Sequence, residues 1–194
     1  MRIMESSFNK KVSDALIMQE LLLNPKTFVP DLLDDDLAVI PKYNEEGGFV
    51  ANSHKFSDLQ VGMWTDTSRK MCDGLVRKFA ELTRDANPVH LDDEFAGKTI
   101  FKERIVHGKL LEGEISAILG MVLPGVGTIY ARVPDIHYMA PTPINSFVET
   151  YAFITELEPE KRLLKVRTYT LLPEHEDKIV LSSDNILMLD PSQG

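Results

Sequence analysis

Hydrophobic residues recur at intervals of three and four positions in three segments of the chain, which is the spacing of helices that bury one face. The longest such pattern covers residues 109–122, and Pro124-Gly125 ends it. A shorter pattern over 74–83 predicts a second helix, and one over 10–23 predicts an amphipathic helix near the start of the chain. Residues 84–97 lose this periodicity, so we predict a loop there.

Alternating polar and apolar residues follow the longest helix and predict strands, because every second side chain of a strand faces the same side of a sheet. Turn-forming prolines such as Pro141, Pro143 and Pro159 separate them. We therefore predict an α+β structure, in which the long helix packs its apolar face on an antiparallel sheet and the last four strands form a meander. The predicted strands cover residues 63–72, 127–138, 146–157, 162–172 and 179–189.

The first 50 residues differ in composition and hydrophobic pattern from the rest of the 194-residue chain. They combine the predicted helix over 10–23 with a stretch rich in proline, aspartate, asparagine and glycine. Within that stretch, the three adjacent aspartates 34–36 favour a solvated acidic turn over a metal site, because hard cations usually draw ligands from separated positions as well. We therefore predict an N-terminal helical and loop-rich arm, residues 1–50, and one compact domain, residues 51–194.

Composition and charge narrow the classes of function. The chain is 43% hydrophobic and 26% charged, as ordinary globular proteins are, and its net charge of −9 argues against binding to nucleic-acid phosphates. No apolar run reaches the roughly 18 residues of a membrane span. Because Cys72 is the single cysteine, the chain can form no internal disulfide and no cysteine-rich metal site. We expect Cys72 to be a small buried hydrophobe, and we expect a reducing, cytoplasmic location.

Two segments could carry chemistry. In the first, a carboxylate at Asp85 and an imidazole at His90 lie five residues apart and could act as an acid–base pair around a water. In the second, residues 104–108 open the longest helix, whose first N–H groups could stabilise a developing oxyanion. By spacing alone the plainer alternative remains open, in which Asp85 caps local backbone and His90 is a satisfied structural histidine.

Taken together, these segments resemble the MaoC-like dehydratases, which include the (R)-specific enoyl-CoA hydratases. The resemblance rests on Asp85-Ala-Asn-Pro-Val-His-Leu-Asp92 and Ile105-Val-His-Gly108, in this order and at a family-like separation. It continues through Leu123-Pro-Gly125 and the predicted strand that ends in Tyr138-Met-Ala-Pro141, and it covers roughly residues 56–190. Either of the first two segments alone would be a weak signal.

The resemblance implies a hot-dog fold, in which a long central helix is wrapped by a curved antiparallel sheet. It also implies a hydro-lyase that adds water to trans-2-enoyl thioesters, or removes it from (R)-3-hydroxyacyl thioesters, of coenzyme A or acyl carrier protein. The family uses no metal and no redox cofactor, and coenzyme A enters only as part of the substrate. Members are homodimers or larger homo-oligomers, so we expect the same here, with no nucleic-acid partner and no membrane span.

The resemblance also assigns roles to individual residues. Asp85 and His90 fall on the catalytic pair that activates the water, and Gly108 falls on the glycine whose N–H binds the thioester oxygen. In a supporting set, Asn87 looks like a scaffold for the loop, and Ser116 falls on a serine that orients the catalytic aspartate. His107 also belongs to the motif, and we interpret it as structural rather than catalytic.

Two alternatives to a hydratase remain. A thioesterase could use the same fold, although the presence of both Asp85 and His90 together with residues 105–108 argues against it. The chain could instead be a non-catalytic subunit that binds acyl-CoA or a partner protein, with residues 1–50 as a docking element. The retained Asp85–His90 pair speaks against that interpretation.

Overall fold

The computed structural model describes residues 34–193 of the chain. The helix predicted over residues 10–23 therefore lies outside the described residues. The elements are β1 (Trp64–Lys70), α1 (Asp73–Thr83), α2 (Pro88–Leu91), α3 (Asp93–Lys98), α4 (Gly108–Met121), β2 (Thr128–Tyr138), β3 (Phe147–Glu158), β4 (Leu163–Leu172) and β5 (Lys178–Leu189).

The helix α4 occupies the centre of the domain. Its apolar positions recur every three or four residues, and most of them are buried in the core, where α4 contacts β1, β2 and β3. Ile118 and Leu119 are completely buried. The helix predicted over 109–122 is thus confirmed to within one residue at each end. The prediction succeeded because this helix buries one continuous face, which imposes a helical spacing on its apolar residues. The buried apolar residues of this helix are Leu110, Leu111, Ile115, Ile118 and Leu119.

All five predicted strands are present in one antiparallel sheet, in the order β1-β3-β4-β5-β2. The α+β prediction is confirmed, but the predicted four-strand meander is wrong, because only β3, β4 and β5 follow one another as neighbours. β2 pairs with β5 at the far edge instead of with β3. The connection between β2 and β3, residues 139–146, contains two prolines. It is hydrogen-bonded to the segment before α4, since Val106 N–H donates to the Thr142 carbonyl oxygen at 2.8 Å. A tight hairpin between β2 and β3 therefore does not form.

The loop predicted over 84–97 is also corrected, because most of it forms α2 and α3. Pro88 occupies the first turn of α2, and the Asn87 side chain caps that helix by accepting a hydrogen bond from Val89 N–H at 3.2 Å. Asp92 caps α3 in the same way, accepting from Phe95 N–H at 2.9 Å. Helices of four and six residues are too short to show a helical period, and their caps were the only signals in the sequence.

Residues 34–50 lie against the sheet. Val39 N–H donates to the Trp64 carbonyl oxygen at 2.7 Å, and the Tyr43 hydroxyl lies 2.9 Å from the Thr67 hydroxyl. The side chain of Asp34 accepts from Asp36 N–H in an exposed turn. The division of the chain at residue 50 stays a prediction.

Two further expectations concern exposure and membranes. Cys72 is exposed, which corrects the buried position we expected, because it lies just before the first turn of α1 at the surface. Within residues 34–193, no helix has the length and apolarity needed to cross a bilayer. The cytoplasmic location stays a prediction.

Candidate active site

Asp85 stands in the short loop between α1 and α2. The chain leaves α1 at Arg84, whose φ of 63° turns the backbone sharply. Asp85 N–H then donates to the Thr83 hydroxyl at 3.3 Å, and Asn87 N–H donates to the Asp85 carboxylate at 3.4 Å. The Asp85 side chain is 53% exposed. Its carboxylate is therefore held by the loop and at the same time accessible to a water.

His90 lies on α2, and its hydrogen bonds fix which ring nitrogen carries the proton. Nδ1 lies 2.8 Å from the Ile105 carbonyl oxygen, and a carbonyl oxygen can only accept, so Nδ1 is the donor. Burial lowers the pKa of His90, and the charge of His107 lowers it further, although the Ile105 carbonyl oxygen and Asp85 act in the opposite direction. The ring is therefore neutral at neutral pH, and its Nε2 is free to accept a hydrogen bond.

His107, the residue before α4, completes the cluster. Its side chain is 2% exposed, and its Nε2 lies 3.0 Å from the Asp85 carbonyl oxygen and 4.0 Å from the Asp85 carboxylate. The rings of His107 and His90 stack with their centroids 3.8 Å apart. The fold thus brings together Asp85, His90 and His107, whose ligating atoms all lie within 4.8 Å of one another.

The same three groups are the residues that could hold a metal ion. One nitrogen of each imidazole is already bonded to a backbone carbonyl oxygen, at Ile105 for His90 and at Asp85 for His107. The remaining nitrogen of His107, Nδ1, is fully buried. The Asp85 carboxylate and His90 Nε2 are then the two groups left to bind a further atom, which suits a water better than a cation that needs four or more ligands.

Gly108 is the first residue of α4, so its N–H has no acceptor within the helix. Within residues 34–193, its N–H donates to no protein group. The ring of Tyr138, at the end of β2, covers the Cα of Gly108. The Tyr138 hydroxyl donates to the Glu112 carboxylate, and Lys109 pairs with that carboxylate at 2.7 Å. The start of α4 therefore offers a free N–H beside an aromatic ring.

Ser116 lies two helical turns after Gly108, and among the described residues no contact joins it to Asp85. It hydrogen-bonds Tyr130, whose pKa is raised to about 12 by burial and by the charge of Glu112. Ser116 also lines a cavity of about 220 Å³ between α4 and the strands β2 and β5. The other lining residues are Glu112, Ile115, Tyr130, Val133, Ile136, Ser183 and Asn185.

Sequence reasoning missed Tyr138 and Glu112 as parts of this site. A signal for Glu112 was present, because Gly108, Glu112 and Ser116 recur every four residues and so share one face of α4. No comparable signal existed for Tyr138, which reaches Gly108 from a strand 30 residues later in the chain.

Comparison with known proteins identifies the relatives of this chain. The family model described as MaoC like domain matches residues 58–174. The chain belongs to the MaoC-like domain family. Its relatives include an (R)-specific enoyl-CoA hydratase of Rhodospirillum rubrum, 34% identical over 141 residues that cover 73% of this chain and 94% of the relative. A 3-hydroxybutyryl-CoA dehydratase of Methylorubrum extorquens is 41% identical over 107 residues, which cover 55% of this chain and 68% of the relative.

Solved structures agree with this membership. The (R)-hydratase of Aeromonas caviae involved in PHA biosynthesis superposes on this MaoC-like chain with a TM-score of 0.64 at 30% identity, covering 68% of this chain and 97% of that one. The R-hydratase PhaJ1 of Pseudomonas aeruginosa gives the same TM-score, covering 70% of this chain and 84% of that one. The predicted hot-dog fold is therefore confirmed.

Proposed function

We propose that this MaoC-like protein is a hydro-lyase that hydrates trans-2-enoyl-CoA to (R)-3-hydroxyacyl-CoA and catalyses the reverse dehydration. The names of three relatives support this activity, since two are (R)-specific enoyl-CoA hydratases and one is a 3-hydroxybutyryl-CoA dehydratase. The observation that carries the proposal is the meeting of the Asp85 carboxylate with His90, whose Nε2 is left as an acceptor.

Two acceptors beside one another can hold one water. We propose that the water donates one hydrogen to the Asp85 carboxylate and the other to His90 Nε2, which leaves an oxygen lone pair directed at the substrate. The oxygen bonds to the β carbon while the π electrons of the double bond move towards the thioester. The proton that the water gives up then passes to the α carbon, so one water is added and no charge is left over. Dehydration runs through the same steps in reverse.

The thioester oxygen gains negative charge during this reaction, and we propose that the Gly108 N–H stabilises it. This N–H lies at the positive end of α4 and has no partner among the described residues. One such donor contributes on the order of 3 kcal/mol of transition-state stabilisation in a site that excludes water. Asn87 supports this arrangement by capping α2, which carries His90.

The substrate and cofactor requirements follow from the same chemistry. Hydration moves one water and transfers no electrons between reactants, so it requires no redox cofactor. We propose that the reaction also uses no metal, because Asp85 and His90 activate the water and the Gly108 N–H stabilises the thioester oxygen. Coenzyme A enters as part of the substrate. The cavity lined by Ser116 begins one helical turn after Gly108 and provides space for the acyl group.

We also propose a homodimer that forms through β2. This edge strand is 11 residues long and exposed along most of its length, and an uncovered edge pairs readily with another strand. Its exposed apolar side chains include those of Ile129, Val133 and Tyr138. Since β2 also carries Tyr130 and Tyr138, such an interface would border the candidate active site.

The deciding experiment uses the purified full chain with enoyl-CoA thioesters of four to sixteen carbons, including crotonyl-CoA. Loss of absorbance from the conjugated thioester together with an (R)-3-hydroxyacyl thioester product is the expected result. Release of free thiol without a hydroxyacyl product would identify a thioesterase. Tight binding of acyl-CoA without turnover of thioesters of either coenzyme A or acyl carrier protein would identify a non-catalytic subunit. The thioesterase result and the binding-only result would each overturn the proposal.

A further inference from the structure

His107 is the one member of the cluster to which the proposed reaction gives no task. Its side chain is 2% exposed and lies between two other rings, that of Phe79 at a centroid distance of 5.0 Å and that of His90 at 3.8 Å. Phe79 belongs to α1 and His90 to α2, while His107 directly precedes α4. One buried imidazole therefore packs against α1 and α2 and directly precedes α4.

The hydrogen bond of His107 fixes its tautomer. Nε2 lies 3.0 Å from the Asp85 carbonyl oxygen, which can only accept, so Nε2 carries the proton. The other nitrogen, Nδ1, is buried and has no hydrogen-bond partner within residues 34–193. A proton on Nδ1 would be a buried donor with nothing to accept it, which is costly. In this geometry the ring donates through Nε2 alone.

The two contacts of this ring act on the two proposed catalytic residues separately. The Nε2 donor holds the main chain of Asp85, whose carboxylate is otherwise held only by the loop around it and is 53% exposed. The ring face covers one side of the His90 imidazole and so fixes its plane. An error of about 1 Å in the position of a reacting group can reduce a rate by roughly 100-fold, so the Nε2 contact that holds Asp85 matters for turnover. The ring contact acts mainly on how far water reaches His90.

We propose that His107 is a positioning residue that holds the Asp85 main chain through its Nε2 donor and holds His90 in plane, and out of water, through ring stacking. This proposal rests on the hydratase function proposed above. The groups that face His90 are the Ile105 carbonyl oxygen, the Asp85 carboxylate and the His107 ring. Removing the ring lets water reach His90. Because burial is the largest cause of the lowered pKa of His90, better solvation should raise that pKa.

Two substitutions separate the two contacts. His107→Phe keeps a ring against His90 and loses the donor to Asp85, so we expect kcat to fall by about 10- to 100-fold with little change in KM. His107→Gln keeps an amide donor near the position of Nε2 and loses the ring. We expect its kcat to stay within a few-fold of the original, and the acid limb of its pH–rate profile to move to higher pH as His90 becomes better solvated.

His54 provides a matched control, because its Nδ1 lies 2.9 Å from the Pro124 carbonyl oxygen, far from the cluster in sequence. His54→Phe and His54→Gln should change neither kcat nor the acid limb. NMR titration of the His90 ring in each folded variant measures its pKa without any substrate, so it remains informative even if the wild-type chain hydrates no thioester.

Three results would overturn the proposal. The first is that both His107 variants lose stability while the folded protein keeps its kcat and its pH profile, which is the behaviour of a packing residue. The second is that His107→Gln loses as much kcat as His107→Phe. The third is an unchanged His90 titration in His107→Gln. If His107→Phe does not fold, His107→Gln alone decides through the His90 titration.

Discussion

The aromatic ring of Tyr138 lies so close to Gly108 that a Cβ atom at that position would stand 2.4 Å from one ring carbon and 2.8 Å from another. Real Cβ atoms do not approach other atoms so closely, so Gly108→Ala must push the ring away or shift the start of α4. We expect this overpacking to lower the free energy of unfolding by about 1–3 kcal/mol and to reduce the rate of hydration. Urea unfolding and the enoyl-CoA assay measure the two effects.

Gly113→Ala is the matched control, since Gly113 lies on the same helix and a Cβ there meets no atom within 4 Å. Alanine is a better helix former, so this variant should gain about 0.5–1 kcal/mol. The double variant Gly108→Ala/Tyr138→Ala should recover part of the lost stability. Equal stabilities of Gly108→Ala and Gly113→Ala would contradict the close contact.

Asp85→Asn tests the proposed base directly. The substitution keeps the size of the side chain and removes its charge, and the site is half exposed, so the fold should be unaffected. We expect turnover of enoyl-CoA to fall by about 100- to 10,000-fold, the usual contribution of a positioned acid or base. Asp58→Asn, an exposed carboxylate on a surface turn, serves as the control and should retain full activity. Unchanged turnover in Asp85→Asn would remove Asp85 from the mechanism.

The pH dependence of kcat/KM tests the state of His90. Burial disfavours its charged form and lowers its pKa below 6.5, so the neutral ring with a free Nε2 persists below that pH. We expect the acid limb of the profile to have its midpoint below pH 6.5, with activity lost only as pH falls through the lowered pKa. His175→Ala, in an exposed turn, should leave this limb in place. A limb above pH 6.5 would contradict a neutral, buried His90.

The pair formed by Arg167 and Asp184 predicts how stability depends on pH. Their side chains are each 11% exposed, and Arg167 Nε donates to the Asp184 carboxylate at 2.6 Å. Burial raises the pKa of Asp184, but the hydrogen bonds and charges of Arg167 and Lys165 outweigh it, and the net pKa is lowered. The pair therefore stabilises the fold above about pH 4, the value of an unfolded aspartate, and this contribution disappears as pH falls through the lowered pKa.

We expect Asp184→Asn to destabilise the protein by about 3 kcal/mol at pH 7, because it leaves a nearly buried guanidinium without its carboxylate. Below pH 4 the difference from the wild type should shrink. Asp135→Asn, at a carboxylate 55% exposed on β2, should cost less than about 1 kcal/mol at either pH. Urea unfolding at several pH values measures all three proteins, and a constant difference for Asp184→Asn would refute the charge argument.

The proposed dimer is tested at the edge strand. Ile129→Lys places a charge on β2, and charged residues on edge strands prevent strand pairing. We expect the wild-type chain to sediment at twice its own mass and this variant to sediment as a monomer. Leu82→Lys makes the same kind of change on α1, where Leu82 is 82% exposed, and should leave the mass unchanged. A wild-type monomer would refute the dimer.

Features that depend on residues close together in sequence, such as helices and strands, were predicted well. The period of buried residues located α4 and all five strands, because burial of one continuous face imposes a regular spacing on either element. α2, which Asn87 caps, was not predicted, since four residues cannot display a helical period.

The amino-acid sequence by itself thus determined the element types, the central helix and the two segments that carry Asp85, His90 and Gly108. Only the tertiary structure decided that β2 pairs with β5, that His107 stacks on His90, and that Tyr138 covers Gly108. A hydrophobic pattern tells which face of an element is buried, but it does not tell which distant element covers that face. Those partners depend on how the whole sheet packs around α4.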